Sequence, residues 1–156
     1  MSNSDLTFRE ARAADLPAIV AMLADDGLGG GRENPLPDGV DPVYENAFAE
    51  VQAQGGNRVI VAEQDGALVG TLQFIVLPCL SHRGTRRAQL EAVRVSAKLR
   101  GQGIGEAMLR YAIDLAKAEG CGLLQLSSDK RRGRAHLFYE RLGFIATHVG
   151  FRLELK

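Results

Sequence analysis

The segment EAVRVSAKLRGQGIGEAML, residues Glu91 to Leu109, decides the fold. It begins with alternating apolar residues, passes through the basic, glycine-rich turn RGQGIG (Arg100 to Gly105), and continues into an amphipathic helix. The start of a helix carries unpaired backbone N–H groups and a dipole that favours anions. Glycine lets a ligand approach the backbone and permits left-handed angles. Taken alone, the turn fits a phosphate-binding site and a simple connection between a strand and a helix equally well.

Two common nucleotide-binding signatures do not match this turn. A P-loop requires a Gly-Lys-Ser/Thr ending, which RGQGIG lacks. A dinucleotide fingerprint requires a third glycine at the position that Glu106 occupies here. The turn therefore needs support from the rest of the chain before it can be assigned to phosphate binding.

The length and charge of the chain limit its class. With 156 residues it can bury a real core, and we expect a single domain over residues 1–156. Lys+Arg equals Asp+Glu at 19 each, so no overall basic field favours nucleic acid or a membrane surface as a partner. The first residues, MSNSDLTFRE, do not resemble a signal peptide, and no apolar run reaches transmembrane length. We therefore expect a cytoplasmic protein.

The cysteines give no sign of a disulfide or a metal site. Cys79 and Cys121 are far apart in apolar surroundings, with no CxxC pair and no cluster of histidines. Two buried thiols in a reducing cytosol are the simplest interpretation. No metal is predicted.

Hydrophobic periodicity predicts a mixed α/β domain, with strands where apolar residues alternate and helices where they recur every three or four positions. The predicted elements, in chain order, are a strand near Leu6 and Phe8, a helix from Leu16, a loop from Gly27 to Pro42, a helix from Val43, a hairpin of strands Arg58–Glu63 and Leu68–Pro78, a strand Ala88–Val95, a helix Ile104–Glu119, a buried strand Gly122–Ser128, a helix Arg131–Gly143, and one or two strands over Phe144–Leu155.

This order of elements, with an R-x-x-G-x-G turn and a later helix carrying AHLFYERLGF, resembles the GNAT family of acyl-CoA N-acyltransferases. The matching residues are Arg100, Gly103 and Gly105 in the first motif, and Ala135, Tyr139, Gly143 and Phe144 in the second. The resemblance covers essentially the whole chain in element order. It implies a central twisted mixed sheet of about seven strands with about four helices, splayed between its fourth and fifth strands so that acetyl-CoA can enter.

The resemblance also implies how acetyl-CoA is bound. The backbone of the strand Val93, Arg94 and Val95 would pair with the pantetheine amides, as an added strand would. The backbone amides of the turn would hold the pyrophosphate, namely those of Arg100, Gly101, Gln102, Gly103, Ile104 and Gly105. Ile104 also has a packing role beneath the helix, and the two roles are compatible.

Acyl transfer to an amine requires a neutral amine, a polarised thioester carbonyl and a proton for the departing thiolate. Tyr139 lies where the family places a phenol near the CoA sulfur. We expect it to act as the general acid, or at least as a hydrogen-bond donor to the sulfur. A half-buried core aromatic beside Phe138 is the alternative interpretation.

Glu91 is the candidate base. Regular alternation would place it on one face of the strand with Val93 and Val95. In this family a glutamate at a similar place takes the ammonium proton, often through water. A solvent-facing charge at a strand end is the alternative, and His82 and His136 are the other candidates for the base.

Two arginine-rich segments suggest an anion. In DKRRGRAH (Asp129 to His136) the commoner family pattern has Asn where this chain has Arg132, and the arrangement resembles the branch containing aminoalkylphosphonate acetyltransferases. Arg132, with Arg131 or Arg134, would face a CoA phosphate or an anionic substrate, although a solvated helix start fits equally. The segment HRGTRR before the glycine-turn strand fits an acceptor that carries an amine and an anion.

The leading hypothesis is an N-acetyltransferase that passes the acetyl group of acetyl-CoA to a small-molecule primary amine by direct attack in a ternary complex. The alternatives are a protein acetyltransferase acting on an N-terminus or a lysine, and a non-catalytic acyl-CoA-binding module. Because Tyr139 and Glu91 are both present, the non-catalytic module is disfavoured. We also expect a homodimer through the apolar C-terminal strands, as in similar proteins.

Overall fold

The computed structural model describes residues 5–25 and 31–156, so the loop predicted from Gly27 to Pro42 falls partly outside the described residues. The chain divides into two compact units, one ending at Gln125 and the other spanning Leu126–Lys156. The single domain expected over residues 1–156 stays a prediction.

In the described part of the chain, five strands form one sheet in the order β1-β2-β3-β4-β5. Their bounds are β1 Thr7–Glu10, β2 Asn57–Gln64, β3 Ala67–Pro78, β4 Arg86–Val95 and β5 Leu123–Leu126. Neighbouring strands from β1 to β4 are antiparallel, and β2 and β3 form the predicted hairpin. Its turn residues, Asp65 (φ 53°) and Gly66 (φ 77°), both take left-handed angles, as a type I′ turn requires.

The longer helices begin where local sequence signals predict. Their bounds are α1 Leu16–Ala24, α2 Pro42–Ala53, α3 Ile104–Ala118 and α4 Gly133–Arg141. At the start of α2, the Asp41 carboxylate accepts a hydrogen bond from the Val43 N–H at 3.1 Å. Shorter helical turns lie at Ala13–Asp15, Ser81–Gly84 and Ala97–Leu99. Among the described helices, none has the length and apolar character that crossing a membrane requires.

Apolar side chains pack on both faces of the central strands. On one face, residues in and near α1 and α2 form a cluster with β2, made of Ala11, Leu16, Ile19, Phe48 and Val61. On the other face, α3 lies so close to β3 that a Cβ on Gly70 would collide with the Met108 sulfur. The residues that are at most 2% exposed include Leu72, Phe74, Leu90, Ile104, Met108 and Leu109. Because both faces of the central strands are covered by apolar side chains, a row of polar side chains on one of these strands needs a physical reason.

A β-bulge interrupts β4 just after Glu91. The β3–β4 register shifts between Thr71 and Gln73, which pair with Arg94 and Glu91 respectively. Two residues of β4 therefore oppose a single residue of β3. One of the two, Ala92, has a left-handed φ of 50°, which is uncommon for a residue other than glycine.

The bulge makes one prediction wrong, namely that Glu91 shares a face with Val93 and Val95. Residues that pair directly across two strands lie on the same face of a sheet. Glu91 therefore shares the face of its β3 partner Gln73 with Arg94, and the two valines belong to the opposite face. Regular alternation failed here because the extra residue shifts every later side chain of the strand by one position.

β5 lies beside only the first half of β4. The Gly122 N–H donates to the Arg86 carbonyl at 3.0 Å, and the Gln125 side chain donates to Gln89 at 2.7 Å, so the two strands advance in the same direction. β5 ends one residue after Gln125, whereas β4 continues as far as Val95. The second half of β4 thus extends past the end of β5, between the two strands where the family resemblance implies that the sheet opens. The prediction that β5 is buried on both faces is wrong, since Leu123 is 43% exposed.

The C-terminal segment differs from the prediction. One or two strands were expected over Phe144–Leu155, but the structure has none there, so the sheet has five described strands instead of about seven. The exposed side chains at alternate positions of this segment are Ile145, Val149, Phe151, Leu153 and Leu155. An alternating pattern specifies which face of a strand is apolar, but a strand also needs a neighbouring strand to satisfy its backbone. The homodimer through this segment stays a prediction.

Candidate active site

The glycine turn has the geometry of an anion-binding site. Gly101 and Gly103 both have φ of 83°, a region that favours glycine. The Ala107 N–H donates to the Gly103 carbonyl at 3.1 Å, and the N–H groups of the three residues between them have no partner within the helix. No described atom lies within 4 Å of the position that a Cβ on Gly101 would take. The turn therefore combines N–H groups that have no partner within the helix with open space at Gly101.

Arg100 adds a cation to this turn. Its Nη2 lies 3.2 Å from the Asp25 carbonyl oxygen and 3.9 Å from Oδ2 of the same residue. Both side chains are more than half exposed, at 55% and 58%. Exposed pairs of this kind contribute about 0–1 kcal/mol to stability, so the guanidinium can leave Asp25 for a phosphate at little cost.

The predicted pantetheine-binding residues Val93, Arg94 and Val95 lie in the half of β4 that extends past β5. The adjacent bulge removes a residue from the hydrogen-bonded pairing of β3 and β4 and changes the direction of the neighbouring backbone groups. Arg94 Nη1 also donates to the Val93 carbonyl at 3.0 Å. Sequence reasoning placed Ala92 in this strand but did not identify the bulge, because a bulge is visible only once the two strands are in register. The backbone edge of β4 and the adjacent bulge together suit an extended ligand that contains amide groups.

Three alternate residues of β4, Arg87, Gln89 and Glu91, form a polar row on the face that packs against α1 and α2. Gln89 Nε2 donates to Glu91 Oε1 at 2.9 Å, and Gln125 Nε2 donates to Gln89 Oε1 at 2.7 Å. The two residues between them in the chain, Ala88 and Leu90, are at most 2% exposed and belong to the opposite face. A hydrogen-bonded polar row therefore lies next to the core of the sheet.

The polar row gives Glu91 a context that sequence reasoning did not supply. The Glu91 side chain is exposed, and its carboxylate is oriented by the Gln89 amide. A carboxylate held in this way can accept a proton from an amine within hydrogen-bond reach. Sequence reasoning missed Gln89 and Gln125. The alternation from Arg87 to Glu91 could have revealed Gln89, whereas Gln125 required knowledge of the β4–β5 pairing.

Tyr139 and Arg132 belong to the second unit. The Tyr139 ring packs edge-to-face with Phe138, at 5.4 Å between centroids, and with Phe144, at 5.8 Å. These contacts restrict the orientation of the half-buried phenol. Arg132 immediately precedes α4. The placement of Tyr139 beside the CoA sulfur and of Arg132 beside an anion stay predictions.

The segment before α4 is organised by Asp129. Arg131 Nη2 lies 2.8 Å from Asp129 Oδ2, and hydrogen bonds from the Arg131 side chain and backbone hold the pKa of Asp129 well below its usual range. His136 Nε2 lies 2.8 Å from the Asp129 carbonyl oxygen, which favours a structural role over that of a base. His82 is exposed, in the turn Ser81–Gly84. Glu91 therefore stays the preferred candidate for the base.

Comparison with known families gives one match over most of the chain. The model of the "Acetyltransferase (GNAT) family" matches residues 30–144. This range includes β4 with its bulge, the glycine turn, α3 and the helix that carries Tyr139.

Two N-acetyltransferases and one solved structure are similar to this chain. A glucosamine 6-phosphate N-acetyltransferase of Trypanosoma brucei brucei is 27% identical over 153 residues, which cover 97% of each chain. An aminoalkylphosphonate N-acetyltransferase of Salmonella typhimurium is 31% identical over 108 residues, which cover 69% of this chain and 70% of the relative. A crystal structure from Bacillus halodurans C-125, described as a transcriptional regulator, superposes with a TM-score of 0.92 at 43% identity, over 96% of this chain and 99% of that one.

Proposed function

Because the chain belongs to the GNAT acetyltransferase family, we propose that it transfers the acetyl group of acetyl-CoA to the primary amine of a small molecule that also carries an anion. The observation that carries this proposal is the organisation of β4. The polar row ends at Glu91, the bulge follows, and the strand then leads towards the glycine turn. One strand therefore offers an acceptor-binding half and a donor-binding half.

In this proposal the donor-binding half holds acetyl-CoA through the backbone. The N–H groups at the start of α3 face the pyrophosphate, and Arg100 supplies a positive charge. The open space at Gly101 fits a phosphate group close to the backbone. The edge from Val93 to Val95 pairs with pantetheine as an added strand, and a redirected N–H near the bulge polarises the thioester carbonyl.

Glu91 prepares the acceptor. An amine near pH 7 is mostly protonated and has no free electron pair for attack, so its proton must be removed first. Glu91 lies beside the bulge, is exposed, and is oriented by Gln89, so it can take this proton directly or through one water. The neutral nitrogen then attacks the thioester carbonyl carbon.

Tyr139 completes the transfer. As the carbon–nitrogen bond forms, the carbon–sulfur bond breaks and the electron pair moves to sulfur. Tyr139 donates its phenolic proton to this thiolate, and the nitrogen loses its second proton, which returns to the phenolate directly or through water. The products are the N-acetyl amide and free CoA, with Tyr139 again protonated. The support for this role is its motif position and a ring restricted by Phe138 and Phe144.

The acceptor class rests on charge. The polar row has a cation at Arg87 and a carboxylate at Glu91, so it is complementary to a molecule with an anion at one end and an ammonium at the other. The acceptors named for two relatives, glucosamine 6-phosphate and an aminoalkylphosphonate, both combine an amine with a phosphorus oxyanion. A protein acetyltransferase would not need this pairing.

Thiol release in the presence of acetyl-CoA tests the proposal. The acceptors are glucosamine 6-phosphate, aminoethylphosphonate, the amines glucosamine and aminoethanol, which lack the anionic group, and a lysine-containing peptide. The reaction without an amine is the control. We expect amine-dependent release of CoA with at least one phosphorus-containing amine and none with the peptide. Binding of CoA without turnover of any small amine would contradict the proposal. Turnover of the peptide alone would favour the protein acetyltransferase.

A further inference from the structure

We propose that Arg87 binds the anionic group of the acceptor, a phosphate or phosphonate, at the end of the polar row opposite Glu91. This inference rests on the proposed function, because it assigns the anion-binding residue of the same acceptor site. It names a residue that neither the family motifs nor the predicted donor site includes.

The first argument is an unsatisfied donor. Arg87 Nε is buried and has no hydrogen-bond partner in the described part of the chain. The nearby Nη2 donates only a long hydrogen bond, 3.2 Å, to the Ser81 hydroxyl. Burying part of a guanidinium without an acceptor is costly, because the charge loses water without gaining a partner. An acceptor atom from a bound anion would remove that cost.

The second argument is position. Arg87 pairs with Leu77 and precedes Glu91 by four residues on the same strand, so the two lie on one face, about 13 Å apart along the backbone. Gln89 lies midway and is hydrogen-bonded to both Glu91 and Gln125. The row therefore presents a cation, an amide and a carboxylate in line. An amino-phosphate that draws the long Arg87 side chain along the row, or one long enough to span it, would place its amine at the candidate base.

The third argument is the turn that precedes β4. His82 (φ 53°), Arg83 (φ 61°) and Gly84 (φ 75°) take left-handed angles in succession, and hydrogen bonds from the Gly84 N–H to Leu80 and from the Thr85 hydroxyl to His82 hold the turn. Left-handed angles cost a non-glycine residue roughly 1–2 kcal/mol. The turn carries the Ser81 hydroxyl that contacts Arg87, and its His82 and Arg83 side chains are exposed.

The chemistry of the group favours a phosphorus oxyanion. A guanidinium presents parallel N–H groups that match two oxygens of a phosphate or phosphonate, and its charge does not titrate in the physiological range. Phosphate monoester and phosphonate share this chemistry, so the inference covers both. The two types of acceptor in the experiment distinguish them.

Steady-state kinetics of Arg87→Met test the assignment. We expect kcat/KM for glucosamine 6-phosphate or aminoethylphosphonate to fall by about 10- to 100-fold, the usual value of a lost charged hydrogen bond. For glucosamine or aminoethanol, which lack the anionic group, the change should stay below about threefold, since no oxyanion is there to lose its partner. Arg87→Lys should recover part of the loss. Comparison of glucosamine 6-phosphate with aminoethylphosphonate shows whether the phosphate or the phosphonate is preferred.

Arg86→Met is the matched control. It removes the same charge from the neighbouring residue, which is exposed and points to the opposite face of β4. In this variant, the ratio of kcat/KM for the acceptor with the phosphorus oxyanion to kcat/KM for the acceptor without it should equal that of the unchanged protein. The inference would be overturned if Arg87→Met lowered kcat/KM equally for acceptors with and without the oxyanion. It would also be overturned if Arg86→Met lost the preference for the oxyanion to the same extent as Arg87→Met.

Binding of inorganic phosphate separates this inference from the proposed function. Titration calorimetry or NMR should detect phosphate binding in the unchanged protein and in Arg86→Met, and a loss of about tenfold or more in Arg87→Met. CoA is kept saturating so that its own phosphate sites are occupied, and circular dichroism confirms that each variant is folded. If no amine is acetylated, the proposed function fails, while the phosphate titration still decides the role of Arg87. Phosphate binding that is unaffected by Arg87→Met, or absent from the unchanged protein, overturns it.

Discussion

Replacing Tyr139 by phenylalanine is expected to lower kcat by about 10²- to 10⁴-fold, the usual contribution of a positioned general acid. The substitution removes only the phenolic hydroxyl and keeps the ring that packs with Phe138 and Phe144. The thiolate would then leave without a proton, which raises the barrier to breaking the carbon–sulfur bond. The Kd of acetyl-CoA should change by less than about threefold, because the hydroxyl acts on a charge that develops in the transition state.

Tyr111→Phe is the control for this prediction. Tyr111 lies in α3 and stacks on Phe8 at 4.7 Å, so the change removes a phenolic hydroxyl from a residue with no role in the proposed chemistry. Its kcat should stay within about twofold of that of the unchanged protein. An unchanged kcat in Tyr139→Phe would show that the acid is another group. Equal losses of kcat and of acetyl-CoA affinity would show that Tyr139 serves binding.

Gly103→Ala is expected to weaken acetyl-CoA binding by about 10- to 100-fold, which corresponds to one or two disturbed hydrogen bonds to a phosphate. Gly103 is the residue before α3 and has φ of 83°. A methyl group there strains the left-handed conformation and turns the first N–H groups of the helix away from a common point. Fluorescence or calorimetric titration with acetyl-CoA measures the loss.

Gly120→Ala separates the loss of binding from the loss of stability. Gly120 follows the other end of the same helix with φ of 74°, and no described atom lies within 4 Å of the position of an added Cβ. Both substitutions should lower the free energy of unfolding by about 1–2 kcal/mol through backbone strain. Only Gly103→Ala should weaken acetyl-CoA. If the two variants bind it equally well, the turn is a connection and does not hold the pyrophosphate.

The elements that the sequence predicted correctly are those with strong local signals. The hairpin of β2 and β3 follows from Asp65-Gly66, because few other residue pairs accept left-handed angles at both turn positions. The helix after the glycine turn begins at Ile104, and its buried residues Met108, Ala112 and Ala116 recur at helical spacing as predicted. Local chemistry alone determines such features.

Features that depend on distant partners were predicted less well. The bulge after Glu91 depends on how β4 aligns with β3, so alternation within β4 could not reveal it. The segment Phe144–Leu155 has a strand-like pattern but lies outside the described sheet, because pattern alone does not provide a partner strand. In both cases the missing information was the pairing between strands.

The candidate site shows the same division. The glycine turn and Glu91 were identified from motif and resemblance, and the structure gives both a geometry suited to their proposed roles. The role of Gln125 and the Arg87 Nε, which has no hydrogen-bond partner among the described residues, became visible only when β4 was placed between its neighbours. The residues proposed to recognise the acceptor are gathered by strand pairing, whereas those proposed to bind the donor are contiguous in the chain.

Initial rates measured over a grid of acetyl-CoA and acceptor concentrations test direct transfer in a ternary complex most directly. The acceptor is the amine that gives the highest rate in the thiol-release assay. Direct attack predicts double-reciprocal lines that intersect, and no CoA released when the amine is absent. Parallel lines, together with a burst of free CoA and an acetylated Cys79 or Cys121 in mass spectra, would contradict it, because they would show an acetyl-enzyme intermediate.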